Sequence, residues 1–513
     1  MALYITTPDG RRHRREASPD AARLPLSSWL EREHFPLNTR CGERGLCRGC
    51  LVEADGRMLQ ACQIATGAVG SVSIPDASFR DNRLNGVSTF EIGTRRHAPQ
   101  PRPGIGLALD IGTTTVAAAL WDLTDGTCLA HASAANEQRR FGDNVLSRID
   151  HAVGLGGASP VLRSALVVDT LEPLLHTLCA EASVDPSRIT EAVAAGNTVM
   201  LHAFAGASLR GFSAYPFRPE FLVRQTFRSR GLGFSVDFPI HFGASPGAFV
   251  GADITLGALA SGILEQDGPA LLVDFGTNGE ILLKTRNGYL ATATAAGPAF
   301  EGGRLNCGAI AGKGVISSLV LRDGEWEAGF DEAGRSRVTG ISGAAYVDFI
   351  AEALKADVLN AMGRFDTNHP AVECAEVDGE LQRLVKVSGP LFVSEADVAE
   401  LIQAKAAIAA GVMTLLELAE TAPGELRTIY IAGGFGYHLN VAHAMAVGLL
   451  PDVPPERLHV IGNAALGGAS LVLQTEAGPV ADKLCRDIRV IELNQVESFE
   501  DHFIDCMPLD RIG

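Results

Sequence analysis

The sequence has no run of about eighteen apolar residues, which is the length that a membrane-spanning helix needs. Its most apolar helical stretch, residues 401–418, carries Gln403, Lys405 and Glu417, and we expect it to be a core helix. Polar residues from Thr6 onward interrupt the N-terminal segment, which does not match a signal peptide. These absences predict a cytoplasmic protein without a membrane partner, whose ten cysteines are thiols or metal ligands rather than disulfides.

Positive charge is also scarce, because 43 Lys and Arg face 60 Asp and Glu and leave a net charge of −17. An acidic chain argues against nucleic acid as the main partner. The first 80 residues differ from the rest, with 11 arginines, no lysine and nine acidic residues. Their run Arg11-Arg12-His13-Arg14-Arg15 predicts a solvated turn or, alternatively, a docking patch for an acidic redox partner.

Four of the ten cysteines lie in one short stretch. Cys41, Cys47, Cys50 and Cys62 have the spacing C-x5-C-x2-C-x11-C, and the first three share a glycine-rich loop. An iron–sulfur cluster needs several thiolates that converge on one point, and glycines let the backbone curl around it and aim N–H groups at the sulfurs. The alternative is a zinc site, which usually combines two separated ligand pairs. The spacing favours a 2Fe–2S cluster held by these four cysteines.

The cysteines belong to a region that we expect to be a small separate domain, residues 1–80. Short strands, a helix over residues 26–35 and a hairpin turned at Asp55-Gly56 are predicted there. The region resembles the plant-type and adrenodoxin-type ferredoxins, which implies a β-grasp fold. Residues 81–104 contain several prolines and are predicted to form an exposed linker. A chain of 513 residues is long enough for two to four domains.

Two matching turns dominate the remainder of the chain. They follow apolar runs and have the sequences Asp110-Ile111-Gly112-Thr113-Thr114-Thr115 and Asp274-Phe275-Gly276-Thr277-Asn278. Neither turn has the Gly-Lys-Ser/Thr ending of a P-loop. A tight glycine hairpin brings backbone N–H groups close to phosphate oxygens, and the threonine and asparagine side chains add donors. We therefore predict a phosphate clamp made from both turns.

Each turn opens a three-strand meander, and a later strand ends in a glycine turn at Gly196 or at Gly433-Gly434. This duplicated order of strands and helices resembles the actin, hexokinase and Hsp70 ATPase superfamily. The resemblance implies two ribonuclease-H-like lobes, residues 105–265 and 266–513, which enclose ATP and Mg²⁺. It also implies that Asp110 and Asp274 hold Mg²⁺ through water and orient the attacking water. Gly433 and Gly434 would leave room for the adenosine.

Three further residues near these motifs have open roles. Glu301, in a glycine-rich segment, is either an acid behind the site or a partner in a structural salt bridge. His438 and His443 follow the second glycine turn and either flank the nucleotide or lie on a helix surface.

A ferredoxin-like domain joined to this ATPase body resembles the reductive activators of corrinoid proteins. The expected fold class is therefore α/β and α+β multidomain, with a β-grasp 2Fe–2S domain before a duplicated ribonuclease-H-like body. The family restores Co(I) after accidental oxidation to Co(II), with one electron from the cluster and with ATP. The implied partners are the corrinoid protein of a methyltransferase system and an unidentified electron donor. The alternative is a sugar or acyl kinase of the same superfamily with a fused redox-sensing ferredoxin domain.

Overall fold

The protein is described from a computed structural model. The structure describes residues 2–7, 11–19, 21–33, 35, 37, 50–75, 100–310, 312, 314–330, 338–377 and 379–512. The predicted cluster ligands Cys41 and Cys47 and residues 81–99 of the predicted linker lie outside these ranges, as does the side chain of His438.

The N-terminal domain is a five-stranded sheet with one helix. Its elements are β1 (Ala2–Thr6), β2 (Arg12–Glu16), α1 (Leu26–Arg32), β3 (Leu51–Ala54), β4 (Arg57–Gln60) and β5 (Ser71–Ser73). The strand order is β2-β1-β5-β3-β4, with β1 parallel to β5. The hairpin turn between β3 and β4 places Asp55 and Gly56 at positive φ, as a tight two-residue connection requires.

The arginine run does not form the solvated turn that was predicted. Arg12–Glu16 is strand β2, which pairs with β1 at the edge of the sheet. Alternate residues of β2 are exposed, because an edge strand of a one-sided sheet turns every second side chain to solvent. Charged side chains on such an edge also discourage pairing with other chains.

The first lobe of the body is built on a six-stranded sheet. Its strands are β6 (Ile105–Ile111), β7 (Thr115–Asp122), β8 (Thr127–Ala135), β9 (Ile189–Gly196), β10 (Gln225–Arg228) and β11 (Pro239–Phe242). Its helices are α2 (Val145–Gly154), α3 (Pro160–Leu166), α4 (Glu172–Ala182), α5 (Thr198–Ala205), α6 (Ser229–Leu232) and α7 (Ala252–Ser261). The order β10-β11-β9-β6-β7-β8 buries β6 in the centre, which explains its almost unbroken apolar sequence.

The second lobe repeats this plan. Its strands are β12 (Ala270–Phe275), β13 (Gly279–Thr285), β14 (Gly288–Thr294), β15 (Val315–Ile316), β16 (Ser318–Arg322), β17 (Glu325–Gly329), β18 (Gly340–Ile341), β19 (Val372–Val377), β20 (Glu380–Ser388), β21 (Leu391–Ser394), β22 (Thr428–Ala432), β23 (Leu458–Gly462) and β24 (Ile488–Val490). Its helices are α8 (Gly343–Lys355), α9 (Glu395–Leu418), α10 (Gly434–His438), α11 (Val441–Ala446), α12 (Ala464–Gln474), α13 (Gly478–Asp487) and α14 (Phe499–Asp505).

The two main sheets confirm the predicted duplication. The second sheet has the order β23-β22-β12-β13-β14-β24, so each lobe has an antiparallel meander, β6-β7-β8 or β12-β13-β14, and a parallel neighbour, β9 or β22. Asp110 is paired in register with Ala195 and Asp274 with Ala432, each one residue before a glycine. The body therefore has the fold of the actin, hexokinase and Hsp70 type.

Helices α7 and α12 form a layer between the two sheets. α7 packs on the second sheet and α12 packs on the first, and the two helices cross each other. The crossing is so close that a Cβ on Gly468 would lie 1.9 Å from the carbonyl oxygen of Leu256. Small residues at this point let the two backbones touch.

One described helix, α9, is long and apolar enough to cross a membrane by length and composition. Within the protein, however, 78% of its most apolar window is buried in the second lobe. The prediction of a core helix over residues 401–418 is confirmed, and the buried Lys405 ammonium donates to the carbonyl of Pro508 at 2.6 Å.

Candidate functional site

A cavity of about 230 Å³ lies between the two lobes. Both Asp turns, the second glycine turn and the first residues of several helices form its walls. It is lined by all the residues predicted for the nucleotide: Asp110, Gly112, Thr113, Thr114, Thr115, Asp274, Gly276, Thr277, Asn278, Gly433 and Gly434. The structure thus brings the predicted residues together, and their contacts with a nucleotide stay a prediction.

The Asp110 turn joins β6 to β7 and is supported by polar side chains. A Cβ on Gly112 would lie 2.3 Å from the carbonyl oxygen of Thr115, so the turn needs glycine there. The buried Arg148 guanidinium donates to the carbonyl of Thr113 at 2.6 Å, and Asn136 donates to that of Gly112 at 2.8 Å. Burial lowers the pKa of Arg148 to about 9, so this side chain still carries a positive charge at neutral pH.

The Asp274 turn joins β12 to β13. Aromatic rings pack against it, and further acidic side chains lie beside it. Phe275 lies against Phe300 and Phe435, with ring centroids 6.1 and 5.4 Å away. Glu280 is the register partner of Asp274 on β13 and lines the same cavity. At the matching position of the first lobe, Asp110 is paired with Ala117.

Glycine is required where each later strand passes the neighbouring turn. A Cβ on Gly433, which has φ +90°, would lie 2.3 Å from the carbonyl oxygen of Phe275 and 2.7 Å from Oδ1 of Asp274. A Cβ on Gly196, with φ +150°, would lie 2.8 Å from the carbonyl oxygen of Ile111. Gly434, by contrast, faces open space. Gly433 thus makes room for the Asp274 turn, and the expectation that Gly433 and Gly434 leave room for adenosine stays a prediction.

Carboxylates crowd the cavity, and burial is the main cause of their raised pKa values. The pKa of Asp110 rises to about 7, although Asn463 donates to its Oδ2 at 2.8 Å and opposes the rise. The pKa of Asp274 rises to about 8, because the charges of Asp253 and Asp110 add to the effect of burial. Burial also raises the pKa of Asp253 to about 6 and that of Glu280 well above its usual range. Such a site is prepared for a positive ion or for protons.

Helix N-termini supply the opposite charge. The cavity is lined by Asn197 before α5, Asp253 in the first turn of α7, Ser342 before α8 and Asn463 before α12. Asn197, Ser342 and Asn463 each cap their helix by accepting a backbone N–H. The positive ends of four helices thus meet at one cavity, which favours an anion such as a phosphate. Carboxylates and helix N-termini together suit a phosphate bound with a divalent cation.

One threonine hydroxyl from each turn, that of Thr114 and that of Thr277, is already hydrogen-bonded to Glu301. Thr114 Oγ1 and Thr277 Oγ1 lie 2.7 Å apart across the two lobes, and they donate to Oε2 of Glu301 at 2.8 and 2.7 Å. Burial raises the pKa of Glu301, whereas the two hydroxyls and Arg148 lower it. Glu301 therefore accepts hydrogen bonds from the turns, and with the residues that the structure describes it forms no salt bridge of the kind that one alternative expected.

His443 lies away from the cavity, on the surface that α11 turns towards α8. Its Nδ1 is 2.7 Å from Oδ1 of Asp348, and its Nε2 is 3.4 Å from Oε1 of Glu352. The hydrogen bond to Asp348 raises the pKa of His443. Of the two alternatives for this residue, the position on a helix surface fits these contacts.

Comparison with known proteins agrees with this architecture. Residues 105–266 match the RACo middle region, and residues 268–511 match the C-terminal domain of RACo, the ASKHA domain. The corrinoid activation enzyme RamQ of Eubacterium limosum is 31% identical over 432 residues, which cover 80% of this chain and 71% of that protein.

The chain belongs to the family of reductive activators of corrinoid proteins.

Two further similarities agree with this family. The Co(II) methylated amine-specific corrinoid protein reductase of Methanosarcina barkeri is 25% identical over 402 residues, covering 72% of this chain and 70% of that protein. The solved structure of a reductive activator for corrinoid, iron-sulfur protein has a TM-score of 0.73 and 25% identity, and the match covers 99% of this chain and 98% of that one.

In the N-terminal domain of this activator, the described half of the predicted cysteine set is brought together. The backbone N–H of Ala61 donates to the carbonyl of Cys50 at 3.0 Å, so Cys50 and the residue before Cys62 meet at the open end of the β3-β4 hairpin. Both cysteines are buried. Among the described residues no group of three metal-ligating side chains is found, and Cys41 and Cys47 lie outside them.

The activator's cavity also contains residues that the sequence analysis missed. Glu280 could have been found, because a hairpin that starts at Asp274 places it directly opposite. Asn463 had a weaker sequence signal, as an Asn between a strand and a helix rich in small residues. Asp253 in the cavity wall had no local signal, and neither did Arg148, which lies outside the cavity and supports the first turn from behind, since both positions arise from tertiary packing.

Proposed function

We propose that this activator uses ATP to return an oxidised Co(II) corrinoid protein of a methyltransferase system to Co(I). The observation that carries the proposal is the cavity, where two repeated Asp turns, four helix N-termini and buried carboxylates meet in a body that matches the RACo regions. Its named relatives are a corrinoid activation enzyme and a corrinoid protein reductase. The kinase alternative is less supported, because these relatives are not kinases.

In the proposal the cavity binds ATP with Mg²⁺. Backbone N–H groups of the turns at Gly112 and Gly276 receive the phosphates, and the helix N-termini stabilise their charge. Asp110 and Asp274 hold water around the cation, and the nucleotide and its cation lower the cost of ionising these buried acids. The adenosine lies beside Gly434, where the structure leaves open space.

In the proposal the N-terminal domain carries a 2Fe–2S cluster on Cys41, Cys47, Cys50 and Cys62. Cys50 and Cys62 are buried in one hydrophobic cluster at the open end of the β3-β4 hairpin, which is compatible with two ligands of one iron–sulfur cluster. When bound, the cluster supplies a one-electron carrier between a separate electron donor and the corrinoid. Each 59 mV of uphill potential lowers the equilibrium constant of a one-electron transfer about tenfold, which is the reason to couple the transfer to ATP. A cytoplasmic location is part of this proposal.

The proposal is tested by following the absorbance of a Co(II) corrinoid protein under a weak reductant, with the full chain and with or without ATP. We expect Co(I) to form only when both the protein and ATP are present. Cys62→Ser should abolish the reaction and reduce the iron content of the purified protein. Asp274→Ala should abolish the reaction and leave the iron content unchanged.

Cys374→Ser is the matched control, because Cys374 is exposed on β19 and lies outside the cavity and the cysteine set. It should behave as the wild type. A rate that does not depend on ATP, or a zinc-containing protein without iron, would contradict the proposal.

A further inference from the structure

Three segments of the second lobe are packed into one unit at the cavity. Phe275 follows Asp274, Phe300 precedes Glu301, and Phe435 follows the glycine pair. Their ring centroids lie 4.7 to 6.1 Å apart, and the exposure of each ring residue is 8% or less. Buried aromatic contacts of this kind resist separation. Glu301 and Thr277 therefore belong to a common body, which the first lobe faces across the cavity.

Thr114 connects the first lobe to this body. It approaches both Thr277 and Glu301, which are 163 and 187 residues away in the chain. The three oxygen atoms make three close pairs, but two hydroxyls supply two protons. With an ionised Glu301, both protons point at the carboxylate, so neither hydroxyl can donate to a second acceptor.

A phosphate placed between the turns would require the same hydroxyl protons. Phosphate oxygens are acceptors, and they would also meet the negative charge of Glu301 behind the hydroxyls. The contact with Glu301 and the contact with a phosphate thus compete for the same donors.

We propose that Thr114, Thr277 and Glu301 form a clasp that holds the two lobes together, and that binding of the nucleotide phosphates opens it. Glu301 is a positioning residue in this scheme, since it acts through the two hydroxyls. Opening the clasp separates Thr114 from the aromatic body, so phosphate binding changes the relation between the lobes. The inference rests on the proposed nucleotide role of the cavity.

The test is amide hydrogen exchange of the full chain, with and without ATP, for the wild type, Glu301→Ala and Glu301→Gln. Without ATP, Glu301→Ala should speed exchange in both turns, residues 112–116 and 276–279, by about tenfold, because the clasp no longer restrains them. Glu301→Gln keeps an acceptor oxygen and should stay close to the wild type. In the wild type, ATP should remove the link between Thr114 and Glu301, so Glu301→Ala should bind ATP about tenfold more tightly.

Thr414→Val is the control, because this buried hydroxyl contacts His502 at 2.9 Å within the second lobe. It should change neither exchange in the turns nor ATP affinity. If Glu301→Ala does not fold, Thr277→Val and Thr277→Ser replace it, and the clasp predicts faster exchange at residues 112–116 for Val alone.

The outcomes separate this inference from the proposed function. A wild type that binds ATP, together with variants that change neither exchange nor affinity, would overturn the clasp alone. A wild type that does not bind ATP would overturn the nucleotide role of the cavity and with it the opening of the clasp by phosphates.

Discussion

The Asp110 and Asp274 turns have the same backbone plan and opposite surroundings. Each follows a central strand, lines the cavity and is passed by a strand that ends in a required glycine. Beneath the first turn lies the buried cation of Arg148, and opposite Asp110 lies Ala117. Beside the second turn lie aromatic rings, and opposite Asp274 lies a further acid, Glu280.

The repeated strands set the positions of the two aspartates, whereas the residues around each turn set the pKa of its carboxyl group. The pKa of Asp110 is raised to about 7 and that of Asp274 to about 8, although both line the same cavity. The hydrogen bond from Asn463 accounts for part of the gap on the first side, and the nearby acids account for part on the second. In the proposed function, the second turn has the stronger demand for a cation.

The largest expected effect tests the polar support of the first turn. Arg148→Met keeps most of the volume but leaves the carbonyls of Thr113 and Gly142 without their donor. We expect unfolding free energy to fall by about 3 kcal/mol, since hydrogen bonds to charged groups contribute about 1.5–3 kcal/mol each. Urea unfolding measures this loss. Arg228→Met, at an exposed pair with Asp237, is the control and should cost less than about 1 kcal/mol; equal losses would refute the supporting role.

The next effect compares the two required glycines. Gly433→Ala should lower the unfolding free energy by about 2 kcal/mol, because the new Cβ meets backbone at a φ that L-residues avoid. Gly196→Ala should cost less, since its contact distance is longer. Thermal unfolding and ATP binding of both variants provide the measurement.

Gly434→Ala is the matched control for this pair, because its Cβ would meet open space. Its stability should stay within about 0.5 kcal/mol of the wild type. If Gly434→Ala were as damaging as Gly433→Ala, the steric account of the second turn would be wrong.

The smallest effect separates the two acids by pH. A raised folded pKa means that the stability from each carboxyl is complete below about pH 4 and is lost as the pH rises through about 7 for Asp110 and about 8 for Asp274. Without ATP, Asp274→Asn should therefore stabilise the protein more at pH 8 than at pH 5. Its gain at pH 8 should exceed that of Asp110→Asn by about 1.4 kcal/mol, one pKa unit. Melting curves of both variants at pH 5 and pH 8 measure these gains in stability. A larger gain at pH 8 for Asp110→Asn than for Asp274→Asn would contradict the prediction.

Much of the body could be predicted from sequence, because the information is local. Apolar runs that end in Asp-x-Gly predict strands and turns, and their repetition predicts two lobes. The eleven residues predicted for the nucleotide meet in one cavity for this reason. The prediction of a turn for the arginine run was wrong, since these residues form an edge strand that pairs with β1, and the charged sequence has no apolar alternation that would reveal a strand.

What the sequence could not predict depends on distant side chains. Threonines were expected to donate to phosphate, and Thr114 and Thr277 here donate to Glu301. The contact between Thr114 and Glu301 exists only when both lobes are in place. Arg148 lies on α2 and reaches back to a carbonyl 35 residues earlier. No periodicity or motif reports such contacts, because they are set by tertiary packing rather than by propensity.

The close crossing of α7 and α12 provides a point about which one lobe can rotate on the other. With Gly468 seated against the backbone of Leu256, the two helix backbones touch at this point without an intervening side chain. The crossing would be the pivot of such a rotation. The first residues of both helices lie in the cavity wall, close to this pivot. The outer strands, β10 of one sheet and β24 of the other, lie farther from the pivot. A small displacement in the cavity wall would therefore become a larger displacement at these outer strands.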